Sequence, residues 1–249
     1  MCELFGFSGR KPESLNGQLR EFFSHSEDNP HGFGLMYGGK LYKEAAKAND
    51  SKSLPKFISS LPPQKVMLAH IRFATVGSVK TENCHPFMGS DITGREWTLI
   101  HNGTIYSGSR LVNGIYRQKG DTDSERLFIY MIDRLNKAQQ AAPLCAAERF
   151  EIIDDIIVKL SPRNKLNLII YDGELMYVHK NMRGTLSYRQ TGSGVIFSTK
   201  PLDDGGWRDV PLAKMVAFRD GEKEFEGTSH GAVFEPALSR ITENDAMNI

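Results

Sequence analysis

The amino-acid sequence predicts an α+β protein in which β-sheets carry helices on their outer sides. Strand-like runs recur between Glu3 and His101, two long amphipathic helices follow, and strand-like runs return from Leu166. That order lacks the steady βαβ alternation that winds a parallel sheet, so separate layers of sheet and helix are expected.

Taken in order, Glu3–Ser8 reads as a strand and Ser14–Ser24 as an amphipathic helix. Leu35-Met36-Tyr37 and Leu41-Tyr42-Lys43 flank Gly38-Gly39-Lys40, a hairpin signal because tight turns need the positive φ that glycine accepts. Val66–Phe73 and Trp97–His101 read as buried strands. The strongest helix signal starts at Thr122, which with Glu125 makes a Thr-x-x-Glu capping box. Leu127, Phe128, Met131, Ile132 and Leu135 then recur at helical spacing. A second helix spans Leu144–Leu160, with Ala147, Phe150, Ile153, Ile157 and Leu160 on one side. Leu166–Tyr171, Leu175–His179, Val195–Ser198 and Met215–Arg219 read as strands, the first two joined through Gly173. Ala45–Ser53 and Asp203–Asp209 are polar stretches of loop length.

The chain has 249 residues, 40% hydrophobic and 24% charged, with no internal repeat or linker, so one globular domain over residues 1–249 is expected. Its 31 basic residues balance 30 acidic ones, which argues against nucleic acid or an anionic membrane as a partner. No secretory signal and no apolar run of bilayer length is apparent. Cys2, Cys84 and Cys145 form no close pair, which suits a reducing compartment and gives the cytoplasm as the expected location.

Four polar islands interrupt runs that are otherwise apolar. Cys2 becomes the first residue once Met1 is removed, and a terminal amine with a pKa of about 7.7–8.0 can take a proton from the adjacent thiol. Read alone, Cys2 is more often a small buried apolar residue. Arg72 ends an apolar strand in His70-Ile71-Arg72-Phe73-Ala74-Thr75, where its planar fork suits either a ligand carboxylate or one of the protein's own acids. His101-Asn102-Gly103-Thr104 offers the Asn102 amide and the Gly103 N–H as oxyanion donors, or a plain Asn-Gly turn. In Asp121-Thr122-Asp123-Ser124-Glu125, capping explains Thr122 and Glu125 and leaves one acid for a cationic ligand group. Together, these groups suit an α-amino acid with a side-chain acyl group, such as glutamine or another γ-glutamyl compound.

Met-Cys-Glu-Leu at the start, His70–Thr75, Asn83-Cys84-His85-Pro86-Phe87, His101-Asn102-Gly103 and Thr122-Asp123-Ser124-Glu125 occur in one order and spacing. In these segments the chain resembles a stand-alone class II glutamine amidotransferase domain of the N-terminal-nucleophile (Ntn) hydrolase superfamily, over nearly its whole length. The resemblance implies a four-layer αββα sandwich of two mainly antiparallel sheets. It also implies that Cys2 attacks the γ-amide, with its own amine as base, and that Asn102 and Gly103 form the oxyanion hole. Arg72 would clamp the substrate α-carboxylate and Asp123 its α-ammonium. Phe73 and Thr75 would line the pocket, and His85 would shape its wall. The products would be glutamate and ammonia through a γ-glutamyl thioester, without metal or cofactor.

Phe73 and Val76 stand where synthase-fused members commonly carry Trp and His, which puts the pocket's side-chain preference in question. Stand-alone members work with a separate synthase or partner subunit, or hydrolyse γ-glutamyl compounds directly. A second reading is a catalytically silent γ-glutamyl-ligand binding or regulatory module. A third, a metal-dependent hydrolase built on His70, His85 and His101, lacks close ligand spacing. His31 reads as loop packing and Cys84 and Cys145 as structural, and Ser198–Leu202 resembles a family element that lies near the nucleophile.

Overall fold

The computed structural model describes residues 1–236. The chain opens with β1 (Glu3–Glu13), α1 (Asn16–Ser24), β2 (Phe33–Tyr37), β3 (Lys40–Glu44), α2 (Leu54–Ser60) and β4 (Gln64–Ile71). It continues with β5 (Phe87–Ser90), β6 (Glu96–Thr104), α3 (Asp123–Ala138) and α4 (Ala146–Leu160). The later strands are β7 (Lys165–Tyr171), β8 (Met176–His179), β9 (Ser187–Gln190), β10 (Gly194–Ser198), β11 (Arg208–Asp209), β12 (Val216–Arg219) and β13 (Glu222–Glu226). Two sheets result, a seven-stranded one ordered β11-β9-β10-β1-β4-β2-β3 and a six-stranded one ordered β13-β12-β8-β7-β6-β5. All pairings between these strands are antiparallel.

Side-chain alternation along the strands generates three apolar layers. Phe5, Phe7 and Ala69 face outward and meet Leu19, Phe22 and Phe23 of α1 and Ile58 of α2. Leu99, Leu168 and Ile170 face outward from the other sheet onto Leu127, Met131, Phe150 and Ile157 of α3 and α4. Between the sheets lie Leu4, Leu68, Ile100, Ile169, Val178 and Phe197. The architecture is therefore the expected αββα sandwich, and each helix is held by its apolar stripe against one sheet.

Local chemistry explains most element ends. Gly38 (φ 49°) and Gly39 (φ 72°) make the two-residue turn between β2 and β3. Thr122 Oγ1 accepts the Glu125 N–H at 3.2 Å and caps α3. The reciprocal half of the expected capping box is absent, because the Glu125 carboxylate binds the Lys119 and Gly120 N–H groups, both at 2.7 Å. In α4 the buried stripe includes Ile156 and Arg149, whereas Ala147 is exposed. Arg149 lies inside because Nε meets Asp172 at 2.7 Å, beyond the end of β7. Asn102-Gly103 forms no turn: both residues lie within β6, opposite Asn167 and Leu166 of β7. The strands β5, β9, β11 and β13 and the helix α2 complete elements that periodicity alone did not mark. No described helix is long and apolar enough to cross a membrane.

Candidate active site

At one end of the sandwich the inter-sheet layer turns polar. Leu4 of β1 faces the other sheet, and Cys2 precedes it by two residues and shares that side. The same alternation carries β4 from Leu68 to His70, β6 from Ile100 to Asn102, and β7 from Ile169 back to Asn167 and Lys165. A cleft of about 340 Å³ opens here. Cys2, Phe73, Thr75, Asn102 and Gly103 line it, all five singled out in the sequence. Met1, Thr104 and Pro236 also line it, as do Lys165, Tyr106, Met182 and Phe234, and none of these last four was singled out.

The Cys2 thiol is fixed by the backbone just beyond β4. Its Sγ accepts the Phe73 N–H at 3.2 Å and lies 3.3 Å from the Phe73 carbonyl, to which it donates. His31 braces that segment, since Nδ1 accepts the Ala74 N–H at 3.0 Å and the ring meets Phe73 edge-on at 5.2 Å. Thr199 Oγ1 accepts the Leu4 N–H at 2.9 Å, so the segment after β10 anchors the start of β1. Burial pushes the thiol above its ordinary value; the Phe73 N–H, the terminal amine, Lys165 and Arg72 oppose that shift without cancelling it. The sulfur rests as a neutral thiol and needs a base to become a nucleophile.

Asn102 has a defined orientation. Lys165 Nζ donates to Asn102 Oδ1 at 3.0 Å, and because an ammonium only donates, it fixes which amide atom faces it. Asn102 Nδ2 is then left buried without a hydrogen-bond partner among the described residues. Its neighbour Gly103 pairs with Leu166, whose N–H goes to Asn181 Oδ1 (2.8 Å) and whose carbonyl takes His179 Nδ1 (2.6 Å). Leu166 thus spends both groups on the β8 side, so the Gly103 N–H is turned away from β7. Only glycine fits position 103: a Cβ there would fall 1.9 Å from the Lys165 carbonyl and 2.2 Å from His101 Nε2. His101 is held by those neighbours, with Nε2 donating to the Lys165 carbonyl at 3.0 Å and Nδ1 near Ser124 Oγ at 2.9 Å.

Three further residues sit beside the cleft rather than in its lining. Arg72 is buried and meets no carboxylate among the described residues. Its guanidinium instead gathers the carbonyls of Val76 (2.9 Å), Gly77 (3.2 Å) and Ser78 (3.0 Å), shaping the loop that carries Thr75. Asp123 accepts the Ile105 N–H at 2.7 Å and the Ser124 N–H at 2.9 Å, and it lines a smaller neighbouring cavity with Arg126. His85 is buried against His70 (4.1 Å between ring centres) and Phe87 (4.6 Å). None of the three acids at the start of α3 is idle, since Asp121 binds Ser78 and Asn83, and Glu125 binds Lys119 and Gly120. His70 Nε2 and His101 Nε2 both donate to carbonyls, and no metal-binding cluster of His, Cys, Asp or Glu occurs among the described residues.

Similar proteins place this arrangement in context. A glutamine amidotransferase of Haemophilus influenzae, provisionally so named, is 27% identical over 284 positions, covering 99% of this chain and 95% of its own. A gamma-glutamyl-hercynylcysteine sulfoxide hydrolase of Mycolicibacterium smegmatis is 25% identical over 157 positions, 63% of this chain and 61% of that one. Among solved structures, the allosteric regulatory enzyme of purine biosynthesis shares the fold with a TM-score of 0.67 at 18% identity, over 90% of this chain and 48% of that one. The sequence model of the class II glutamine amidotransferases matches residues 1–192, and the chain belongs to that family.

Proposed function

We propose that this protein is an N-terminal cysteine amidohydrolase that cleaves the amide of glutamine or of another γ-glutamyl compound. The observation that carries the reading is the Asn102 amide, pinned at Oδ1 by Lys165, with an unspent N–H pair in the cleft that holds the Cys2 sulfur. A donor kept free in a water-poor wall is the arrangement that stabilises a developing oxyanion. Removal of Met1 frees the Cys2 amine, which takes the thiol proton. The sulfur then bonds the acyl carbon, and charge moves onto the carbonyl oxygen between Asn102 Nδ2 and the Gly103 N–H. The C–N bond breaks as the amine returns the proton to the leaving nitrogen. Water then cleaves the thioester to give glutamate and regenerate the thiol.

Arg72 and Asp123 are assigned the two charged ends of the glutamyl group. The Arg72 charge has no acid among the described residues, and exchange of a loop carbonyl for a carboxylate would supply one. Asp123 keeps lone pairs beyond its two backbone contacts for an ammonium. Phe73 and Thr75 form the wall beside the γ-carbon, and His85 supports it from behind. The kinship with a γ-glutamyl hydrolase and with named amidotransferases supports both the direct hydrolytic reading and one with a separate synthase. Protein shown by intact mass to lack Met1 is expected to release glutamate, and Cys2→Ala to release none. Release at the wild-type rate from Cys2→Ala would end the reading.

A further inference from the structure

Lys165 is a buried cation without a counter-charge among the described residues. It is only 6% exposed, yet no ion pair includes it among the described residues. Buried charges are normally paired, because desolvating an ammonium is expensive. The fold's other buried lysine, Lys180, obeys that rule and meets Asp209 at 2.8 Å. Among the described residues Lys165 Nζ has only the Asn102 carbonyl oxygen and the thioether of Met1, at 3.1 Å. A thioether is a weak acceptor, and it leaves with Met1. The processed protein would therefore hold an ammonium in its cleft with two of three N–H donors unspent. Beside it, the rings of Tyr106 and Phe234 lie 6.0 Å apart and within 3° of parallel, giving that wall an apolar surface next to the charge.

We propose that the leaving amine is itself an α-amino acid, so that γ-glutamyl amino acids are the preferred substrates and their carboxylate pairs with Lys165. This rests on the roles given to Cys2 and Asn102 above. The same lysine touches the oxyanion donor, so its ammonium lies close to the scissile carbon. In a γ-glutamyl amino acid the carboxyl carbon follows the acyl carbon by three bonds, about 4.3 Å along the chain. Free glutamine has no group at that place, and a γ-glutamyl tripeptide carries a neutral amide there. The reaction consumes one water: the C–N bond is broken, the leaving nitrogen gains a proton, and glutamate and a free amino acid are released. Tyr106, Met182 and Phe234 would take an apolar side chain on the leaving amino acid.

Protein with Met1 removed is compared on γ-glutamyl-leucine, γ-glutamyl-leucinamide and glutamine, following glutamate release. The expected kcat/KM for the carboxylate exceeds that for the carboxamide by about tenfold or more, the effect of one charge-assisted hydrogen bond. In Lys165→Met the two should become equal, whatever the absolute rate. Equal wild-type values would overturn the proposal and leave the Cys2 reading intact. So would a Lys165→Met protein that keeps the wild-type ratio, since lysine would then act only through Asn102 and the thiol. Absence of glutamate from all three substrates would overturn both readings. If the variant fails to fold, the wild-type ratio still decides whether a leaving-group carboxylate is preferred, and equal values still overturn the proposal.

Discussion

At Asn102 one lysine decides which end of an amide is open to chemistry, because Nζ can only donate and Oδ1 is the atom that accepts. Asn102→Ala removes the freed N–H pair and is expected to cut kcat by about 10²–10³ with the fold retained. Steady-state glutamate release with circular dichroism checks this, and an unchanged kcat would remove Asn102 from the oxyanion site. Cys2, Asn102 and Gly103 were legible in the sequence because each breaks an apolar run with a group that has distinctive chemistry, whereas Phe73 and Thr75 came only from the resemblance to the class II family. Lys165 was not. A lysine at the start of a strand reads as a solvated end, and its inward direction appears only once β7 is set in register against β6. Phe234 and Tyr106 stayed hidden for a different reason, since their stacking joins segments far apart in the chain.

Among the elements, α4 is attached to its sheet by polarity as well as by its apolar stripe. Arg149 bonds Asp172 through Nε at 2.7 Å and the Leu144 carbonyl through Nη1 at 2.9 Å, while Tyr177 donates to the same Asp172 carboxylate at 2.8 Å. Asp172→Ala would leave a buried guanidinium with only the half-buried Glu174 as counter-charge, and a loss of about 3–5 kcal/mol is expected. Urea unfolding measures it, and a change under about 1 kcal/mol would show that the pair is replaceable. The sequence revealed α4 through Phe150, Ile153, Ile157 and Leu160, but a stripe count treats Arg149 as a surface residue. The start of α3 shows the converse case. Thr-x-x-Glu correctly located the helix start, yet Glu125 found a stronger use in the two amides of the preceding loop.

For the molecule as a whole, acid should be the weak side. Burial holds His70 and His179 neutral down to about 3, and burial likewise keeps His85 far below its ordinary value. Unfolded histidine takes its proton near pH 6.5. Below that pH the unfolded chain binds protons that the folded chain refuses, so stability falls from about 6.5 towards 3 and is unaffected by these groups above 6.5. His70 and His179 together should lower the unfolding free energy by about 3–4 kcal/mol between pH 7 and pH 5. Urea unfolding at the two values tests this, and equal stabilities would contradict it. The layered architecture was readable from element order, but the strand order was not, because pairings such as β1 with β10 join residues nearly 200 positions apart on a scale no local pattern encodes.

β1 also occupies the middle of its seven-stranded sheet, between β4 and β10. Its β4 edge can pair once residues 64–71 exist, but its second edge stays open until residues 194–198 have been synthesised. The sheet that follows Cys2 therefore closes only after most of the chain is made.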